Sequence, residues 1–256
     1  MFVCIVANGY PSKRYLGNGI FALDQAKALS AAGCNVVLAA VDLRSLRRWR
    51  KWGVEHFVKD SVEIYAINIP LGRVPHMLLR MVGQWGIKIL YQHIKNDHGE
   101  PDIIHAHFIE MAEIAMVLRS VSKARFIATE HSSLLLEASP PLWVLRRARY
   151  IYEANDLVIA VSQALACKMK FDYDVNAVVV PNVVDSLFFD GDNEEPQKLS
   201  DTFVFVSVIA LYQEKHPLEC ILAFYQAFHN LNDRFTIQVQ QQERSQAIQR
   251  NQQAGG

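Results

Sequence analysis

Residues 101–108 read Pro-Asp-Ile-Ile-His-Ala-His-Phe, an apolar run that ends in polar side chains. Three later segments repeat this arrangement: Thr129-Glu-His-Ser-Ser133, Val161-Ser-Gln-Ala-Leu165 and Val179-Val-Pro-Asn-Val-Val-Asp185. A strand of a parallel sheet delivers such polar residues to the carboxyl edge of the sheet, where the ligands of open α/β sheets bind. We therefore expect the functional residues of this chain at that edge.

Seven apolar, β-branched runs predict the strands, and helical patterns lie between most of them. The runs are at 2–7, 35–41, 62–69, 103–107, 125–129, 157–161 and 177–181. Strands that alternate with helices predict βαβ units and an α/β fold with a mostly parallel, Rossmann-like sheet. In the first helix, Ala22, Ala26 and Leu29 share one face, and Gly33 is placed to end the helix.

The second half of the chain changes character twice. We place an N-terminal Rossmann-like domain at 1–185 and a polar, turn-rich linker at 186–202. Residues 203–239 read as the start of a second Rossmann-like domain, with a helix from about Pro217 to Phe228. The tail at 240–256 is polar and of low complexity, which predicts disorder and no stable packing.

Composition limits the classes of function. The formal net charge is zero, so no overall field favours nucleic acid. The four cysteines are far apart in the sequence, which argues against a zinc site and a disulfide scaffold. The N-terminus reads as a first strand rather than a signal peptide, and no stretch is apolar for the about 18 residues of a spanning helix. The cytoplasm is the expected compartment.

Two segments offer candidate functional residues at the carboxyl edge of the sheet. Gly17 and Gly19 lie between the first strand and first helix, where glycine lets the backbone approach a ligand; an ordinary βα turn is the alternative. His107 ends its strand and could orient an acceptor hydroxyl, with a structural histidine as the alternative. We assign His105 to the opposite face of that strand and to a structural role.

The next two strand ends are less specific. His131 is expected at the same edge, and Ser132 could cap a helix or hydrogen-bond a sugar. Glu130 could act as a base, although no partner carboxylate is evident. A purely structural turn remains open for this segment. Ser162 is predicted to be the N-cap of a helix.

Taken together, the four segments resemble glycosyltransferase family 4. Val180-Pro-Asn-Val-Val-Asp185 is similar to the family pattern Ile-Pro-Asn-Gly-Val-Asp, and residues 205–217 resemble the start of its donor domain. The resemblance implies the two-domain GT-B fold. It also implies transfer of a sugar from a nucleotide-sugar donor to an acceptor hydroxyl, with retention and without a metal or cofactor. Polysaccharides, lipopolysaccharides and lipid-linked glycans are the implied acceptors.

The resemblance also implies roles for individual residues. They are catalysis by His107, acceptor binding by His131, Ser132 and Glu130, and donor binding by Gly17, Gly19 and Lys215. The donor side departs from the family pattern, because Ile209 and Ala210 stand where Gly and Arg are common and no Glu-x₇-Glu motif follows residue 239. We therefore expect a truncated donor domain and negligible sugar transfer. A non-catalytic acceptor-domain fragment is one alternative function.

A membrane-binding module is the other alternative. Residues Arg44–Trp52 and Arg73–Lys95 interleave basic, aromatic and apolar side chains, as interfacial helices do. A solvated helix followed by a core helix would give a similar pattern. On the membrane reading, the protein would lie peripherally on the cytoplasmic face of the membrane.

Overall fold

The structure is a computed structural model that describes residues 1–13, 15, 17–44, 52–72, 74–131, 135, 140–184, 207 and 216–228. The chain divides into two compact units, Met1–Asp192 and Asn193–Gly256. The predicted linker at 186–202, the predicted tail at 240–256, Ser132 and Lys215 all lie outside the described residues. In the second unit the described helix runs from Pro217 to Phe228, as the sequence predicts.

The described part of the first unit contains one sheet of eight strands, in the order β3-β4-β2-β1-β5-β6-β7-β8. The strands are β1 Phe2–Ala7, β2 Asn35–Arg44, β3 Gly53–Lys59, β4 Val62–Pro70, β5 Ile103–His107, β6 Arg125–Glu130, β7 Leu157–Ala160 and β8 Val178–Val179. Every pairing between neighbours is parallel except that of β3 with β4. The prediction of a mostly parallel α/β sheet is confirmed.

Helices cover both faces of this sheet. They are α1 Ile20–Ala31, α2 His76–His98, α3 Ile109–Ala115, α4 Leu142–Glu153 and α5 Gln163–Tyr173. The helix Pro217–Phe228, which belongs to the second unit, is α6. A core on one face contains Val3, Ile5 and α1, and a core on the other contains Cys4, Val6 and α2 to α5. Because both faces are buried, the strands read in the sequence as continuous apolar runs rather than alternating ones.

Strand β3 was not among the predicted strands. It pairs antiparallel with β4 through a two-residue turn in which Asp60 and Ser61 have φ of 49° and 64°. Two left-handed residues are typical of a type I′ hairpin turn, but Asp-Ser lacks the glycine that normally marks one. Val54 and Val58 of this edge strand are 43% and 68% exposed. An edge strand whose residues alternate between half-buried and exposed does not produce an apolar run.

Local capping chemistry sets two helix ends as predicted. The hydroxyl of Ser162 accepts a hydrogen bond from the backbone N–H of Leu165 at 3.2 Å, which begins α5 directly after β7. Gly33 follows α1 with φ of 86°, a conformation that favours glycine. These caps fix where the chain leaves and re-enters the sheet.

The assignment of His105 and His107 to opposite faces of β5 was wrong. Side chains alternate along a strand with a period of two, so residues two apart share a face. Their ring centroids lie 4.9 Å apart. His105 is 4% exposed, and its Nε2 lies 2.7 Å from the hydroxyl of Thr129 on β6. Its structural role is consistent with this position.

The buried His105 should make the fold sensitive to acid. Burial, aided by His131, lowers the pKa of His105 from 6.5 to about 4. Between these pH values the histidine is protonated in the unfolded chain but neutral in the folded chain. The free energy of unfolding is therefore highest above pH 6.5 and decreases as the pH falls. At about 1.4 kcal/mol per pKa unit, the loss is on the order of 3 kcal/mol.

The substitution His105→Asn should remove the part of this pH dependence that His105 contributes, even though it removes the Thr129 contact and lowers stability at pH 7.5. Urea unfolding between pH 7.5 and 4 measures the effect. The exposed His93 on α2 provides the matched control, His93→Gln. If the free energy of unfolding of H105N and of H93Q fell with pH as steeply as that of the unmodified protein, burial of His105 would not be the cause of the acid sensitivity.

Candidate functional site

A cavity of about 120 Å³ lies at the carboxyl ends of β1 and β5. Its lining includes Ala7, Gly17, Gly19, Phe21 and His107. Since β1 and β5 are neighbours in the sheet, the loop that follows β1 meets the residue that ends β5. Gly17, Gly19 and His107 therefore come together at one edge, as the strand ends predict. We call this space the His107 cavity.

The size of the His107 cavity limits what it can hold. Complete small-molecule pockets usually measure about 300–1,000 Å³. At about 120 Å³, the cavity can take part of a sugar ring but not a whole nucleotide-sugar. The described residues can thus serve an acceptor group better than an entire donor.

Two glycines make the loop that forms one wall. Gly19 has φ of 66°, and a Cβ there would lie 2.2 Å from the carbonyl oxygen of Gly9. Gly9 has φ of 152°, and a Cβ there would lie 1.8 Å from the side chain of Asn18. The loop can fold back on β1 only because both positions lack a side chain. Sequence reasoning missed Gly9, although Asn8-Gly9 is a recognisable turn signal.

His107, which lines the cavity, is paired with a second histidine, His131. Nδ1 of His107 lies 2.8 Å from Nε2 of His131, and the two rings are stacked with centroids 4.9 Å apart. The ring of Phe21 from α1 stacks on His131 at 5.3 Å. Phe21 carried no recognisable functional signal in the sequence. The rings hold each other in place, so His107 has a fixed orientation towards the cavity.

His107 has one nitrogen left for a ligand. Its Nε2 is buried and has no hydrogen-bond partner among the described residues. If the N–H of His131 donates the hydrogen bond to Nδ1 of His107, then Nε2 of His107 carries a proton and is a donor. If Nδ1 of His107 is the donor instead, then its Nε2 is an acceptor. A hydroxyl can satisfy either form, because it both donates and accepts. The arrangement suits an alcohol better than an ion.

Burial keeps both rings neutral. It lowers the pKa of His107 well below its ordinary value, and His105 and His131 lower the pKa further. Burial also lowers the pKa of His131, and an interaction with the side chain of Asn182 partly opposes that effect. A histidine with so low a pKa is a weak base. His107 is therefore suited to orienting an acceptor hydroxyl rather than to storing its proton.

The backbone directly after His107 is strained. Phe108 has φ of 71° and ψ of 152°, a region that is essentially restricted to glycine and costs about 1–3 kcal/mol for other residues. Its N–H donates to the carbonyl of Thr129 at 2.8 Å, and its own carbonyl accepts from Met111 and Ala112 in α3. Strain of this kind, held by surrounding hydrogen bonds, is concentrated at functional sites.

Glu130 does not reach the cavity. It is fully buried, and its carboxylate accepts hydrogen bonds from the backbone N–H of Ile109 at 2.9 Å, from that of His131 at 3.0 Å, and from the hydroxyl of Tyr152. Adjacent strand residues point to opposite faces, so Glu130 and His131 diverge. We reassign Glu130 from an acceptor contact to a structural role. The two remaining predicted contacts, Ser132 and Lys215, lie outside the described residues.

Comparisons with known proteins bear on the family and the fold of this chain. The family model described as Glycosyltransferase Family 4 matches residues 17–186. No curated protein gave a significant match.

Among solved structures, the apo form of OtsA is 14% identical with a TM-score of 0.59, over 99% of this chain and 68% of that one. Sucrose-phosphate synthase from Thermosynechococcus elongatus is 16% identical with a TM-score of 0.52, over 71% of this chain and 48% of that one. The chain thus spans about half the length of that synthase. At such identities the likeness shows the fold alone, which is GT-B. With the family model matching most of its length, the chain belongs to glycosyltransferase family 4.

Proposed function

We propose that this protein acts in the transfer of a sugar from a nucleotide-sugar to an acceptor hydroxyl, with retention of configuration, and that its first unit binds the acceptor. The observation that carries the proposal is the buried Nε2 of His107, which has no hydrogen-bond partner among the described residues, in a side chain that lines a cavity at the carboxyl edge of the sheet. Membership of the family supports a transferase. The proposed reaction needs no metal or cofactor, since the nucleotide-sugar is itself a substrate.

His107, His131 and Lys215 each have a part in the proposed reaction. Nε2 of His107 hydrogen-bonds the acceptor hydroxyl, and His131 fixes the tautomer and the tilt of that ring. The acceptor oxygen bonds to the anomeric carbon, the bond from that carbon to the donor phosphate breaks, and the hydroxyl proton leaves with the nucleoside diphosphate. Lys215 is proposed to neutralise the charge of the diphosphate.

A membrane-linked acceptor is the class that the surface of α2 favours. Large apolar side chains are exposed in the first three turns of this helix: Met77 63%, Leu78 42%, Met81 56% and Trp85 53%. The helix follows β4, so these turns lie at the same edge of the sheet as the His107 cavity. Basic residues next to exposed apolar ones are typical of helices that lie in a membrane interface.

We therefore propose peripheral contact with the cytoplasmic membrane face and a polysaccharide, lipopolysaccharide or lipid-linked glycan as the acceptor. Within the predicted stretch Arg73–Lys95, residues 74–95 are described, and α2 occupies them from His76 onwards. Most of Arg44–Trp52 lies outside the described residues. No helix in the described part of the chain is long and apolar enough to cross a membrane.

Acceptor binding tests the role of His107 without requiring catalysis. A panel of monosaccharides and short glycans is titrated against the 256-residue chain by saturation-transfer NMR. We expect binding that His107→Ala weakens about tenfold or more, because a buried hydrogen-bond partner is lost. His93→Ala on the exposed face of α2 is the control. Glycan binding that H107A leaves unchanged would contradict the assignment.

Sugar transfer by the 256-residue chain itself should be negligible. On the donor side, Lys215 is the one charged residue that matches the family pattern, and removing a single electrostatic partner typically costs about 10²–10³ in rate. Release of nucleoside diphosphate from UDP-, ADP- and GDP-sugars measures the transfer. Glycan binding without turnover would favour a non-catalytic acceptor-binding role, whereas robust turnover would refute the expectation.

Membrane contact is tested by co-sedimentation with vesicles of phosphatidylglycerol and phosphatidylcholine. The double substitution of Met81 and Trp85 by serine should reduce binding several-fold, because it removes exposed apolar area without touching the core. Val121, which is 54% exposed after the helix Met116–Ser120, provides the control Val121→Ser. Equal binding by the double variant and V121S would exclude α2 as the membrane-contacting element.

A further inference from the structure

A second group of polar side chains lies between α2, α3 and α4. Glu113 of α3 is 1% exposed, and two arginines and a histidine surround its carboxylate. Nε of Arg147 lies at 2.5 Å, Nε2 of His76 at 3.1 Å and Nη1 of Arg80 at 3.9 Å. We call these four residues the Glu113 cluster. One cation is enough to neutralise a buried carboxylate, so the cluster holds more positive charge than the fold requires.

The excess charge belongs to the two arginines. Burial lowers the pKa of His76, Arg80 and Arg147 lower it further, and Glu113 opposes them. His76 is therefore mostly neutral at pH 7, and its ring stacks on Trp143 with centroids 3.9 Å apart. Burial also raises the pKa of the neighbouring Glu110, with a contribution from Glu113, which limits the negative charge nearby.

Both guanidinium groups have unused donors. Among the described residues, Arg80 has only the long contact with Glu113. Nε of Arg147 lies close to Glu113 but makes no hydrogen bond, and the guanidinium group lies over the ring of Tyr150 at 5.6 Å. The side chains of Arg80 and Arg147 are 27% and 34% exposed, so a solute can reach them. Guanidinium groups are suited to phosphate because their planar N–H donors match pairs of its oxygens.

The position of the cluster relates it to the candidate site. Helix α2 follows β4, and α3 follows His107 and Phe108 directly, so both helices begin at the carboxyl edge of the sheet. Glu113 is four residues after the start of α3, about one helical turn, or roughly 6 Å, along its axis. The Glu113 cluster and the His107 cavity therefore lie at the same edge, with the first turn of α3 between them.

We propose that Arg80 and Arg147 form a binding site for a phosphate group. Glu113 holds the two guanidinium groups from α2 and α4 close together, and the stacked rings of His76 and Trp143 form an uncharged wall beside them. In the proposed function, this phosphate belongs to the acceptor, while its hydroxyl lies at His107. Only that identification of the ligand rests on the proposed function.

The test titrates inorganic pyrophosphate into the 256-residue chain by isothermal calorimetry. We expect saturable binding that Arg80→Gln weakens by about 10- to 100-fold, the usual effect of losing a charge-assisted hydrogen bond. Lys88→Gln, which removes one exposed positive charge from the same helix, should leave the affinity within about twofold. The R80Q variant should fold, because Glu113 keeps Arg147 and His76 as partners.

A second readout follows the imidazole signals of His76 by NMR. A bound anion should raise the pKa of His76 in the unmodified protein and in K88Q but not in R80Q. Vesicles that contain phosphatidic acid are compared with phosphatidylcholine vesicles to identify the source of the phosphate. Binding to the phosphatidic acid vesicles, lost in R80Q, indicates a lipid headgroup; binding of pyrophosphate alone indicates a soluble phosphate.

Absence of binding to both probes, or equal losses in R80Q and K88Q, would overturn the phosphate site. That result would leave glycan binding at His107 intact, so it would not by itself refute the proposed function. Loss of glycan binding in H107A with normal pyrophosphate binding would show in turn that the two sites act independently.

Discussion

The carboxylate of Glu130 connects β6, α3 and α4, the elements that carry the His107 cavity and the Glu113 cluster. From the end of β6 it accepts the N–H of Ile109 at the start of α3, the N–H of His131 and the hydroxyl of Tyr152 on α4. Burial and the nearby Glu130 charge raise the pKa of Tyr152 well above its ordinary value, so this hydroxyl remains a donor. One buried anion therefore fixes β6, α3 and α4 relative to one another. A buried carboxylate that lost these donors would be strongly destabilising.

The His107 cavity and the Glu113 cluster both depend on these contacts, but the cavity is uncharged and the cluster is positively charged. The His107 cavity is lined by an imidazole that burial keeps uncharged, next to the glycine loop that follows β1. The Glu113 cluster, on the other side of the first turn of α3, retains two arginine charges around a single carboxylate. A neutral pocket recognises hydroxyl groups by hydrogen bonding, whereas a cationic one attracts phosphate. An acceptor that carries both groups would match the two sites together.

The backbone is strained at the carboxyl edge of the sheet, directly after His107. Phe108 occupies a backbone region that normally requires glycine, and it does so between His107 and α3. Its N–H and carbonyl are both hydrogen-bonded, so the surrounding structure holds the conformation in place. The short connection lets α3 begin immediately after β5. As a result, the residues of α3 lie close to the catalytic candidate instead of being separated from it by a loop.

Much of the fold was predictable from the sequence, because strands buried on both faces produce continuous apolar runs, and caps such as Ser162 act locally. The same reasoning placed His107 and His131 at one edge, and the shared face of His105 and His107 also follows from strand periodicity. Strand β3 could not be found in this way, since an edge strand has no apolar run. Only the tertiary structure showed that Glu130 is buried and that Arg80, Glu113 and Arg147 meet. Contacts between residues so far apart in the chain leave no local pattern in the sequence.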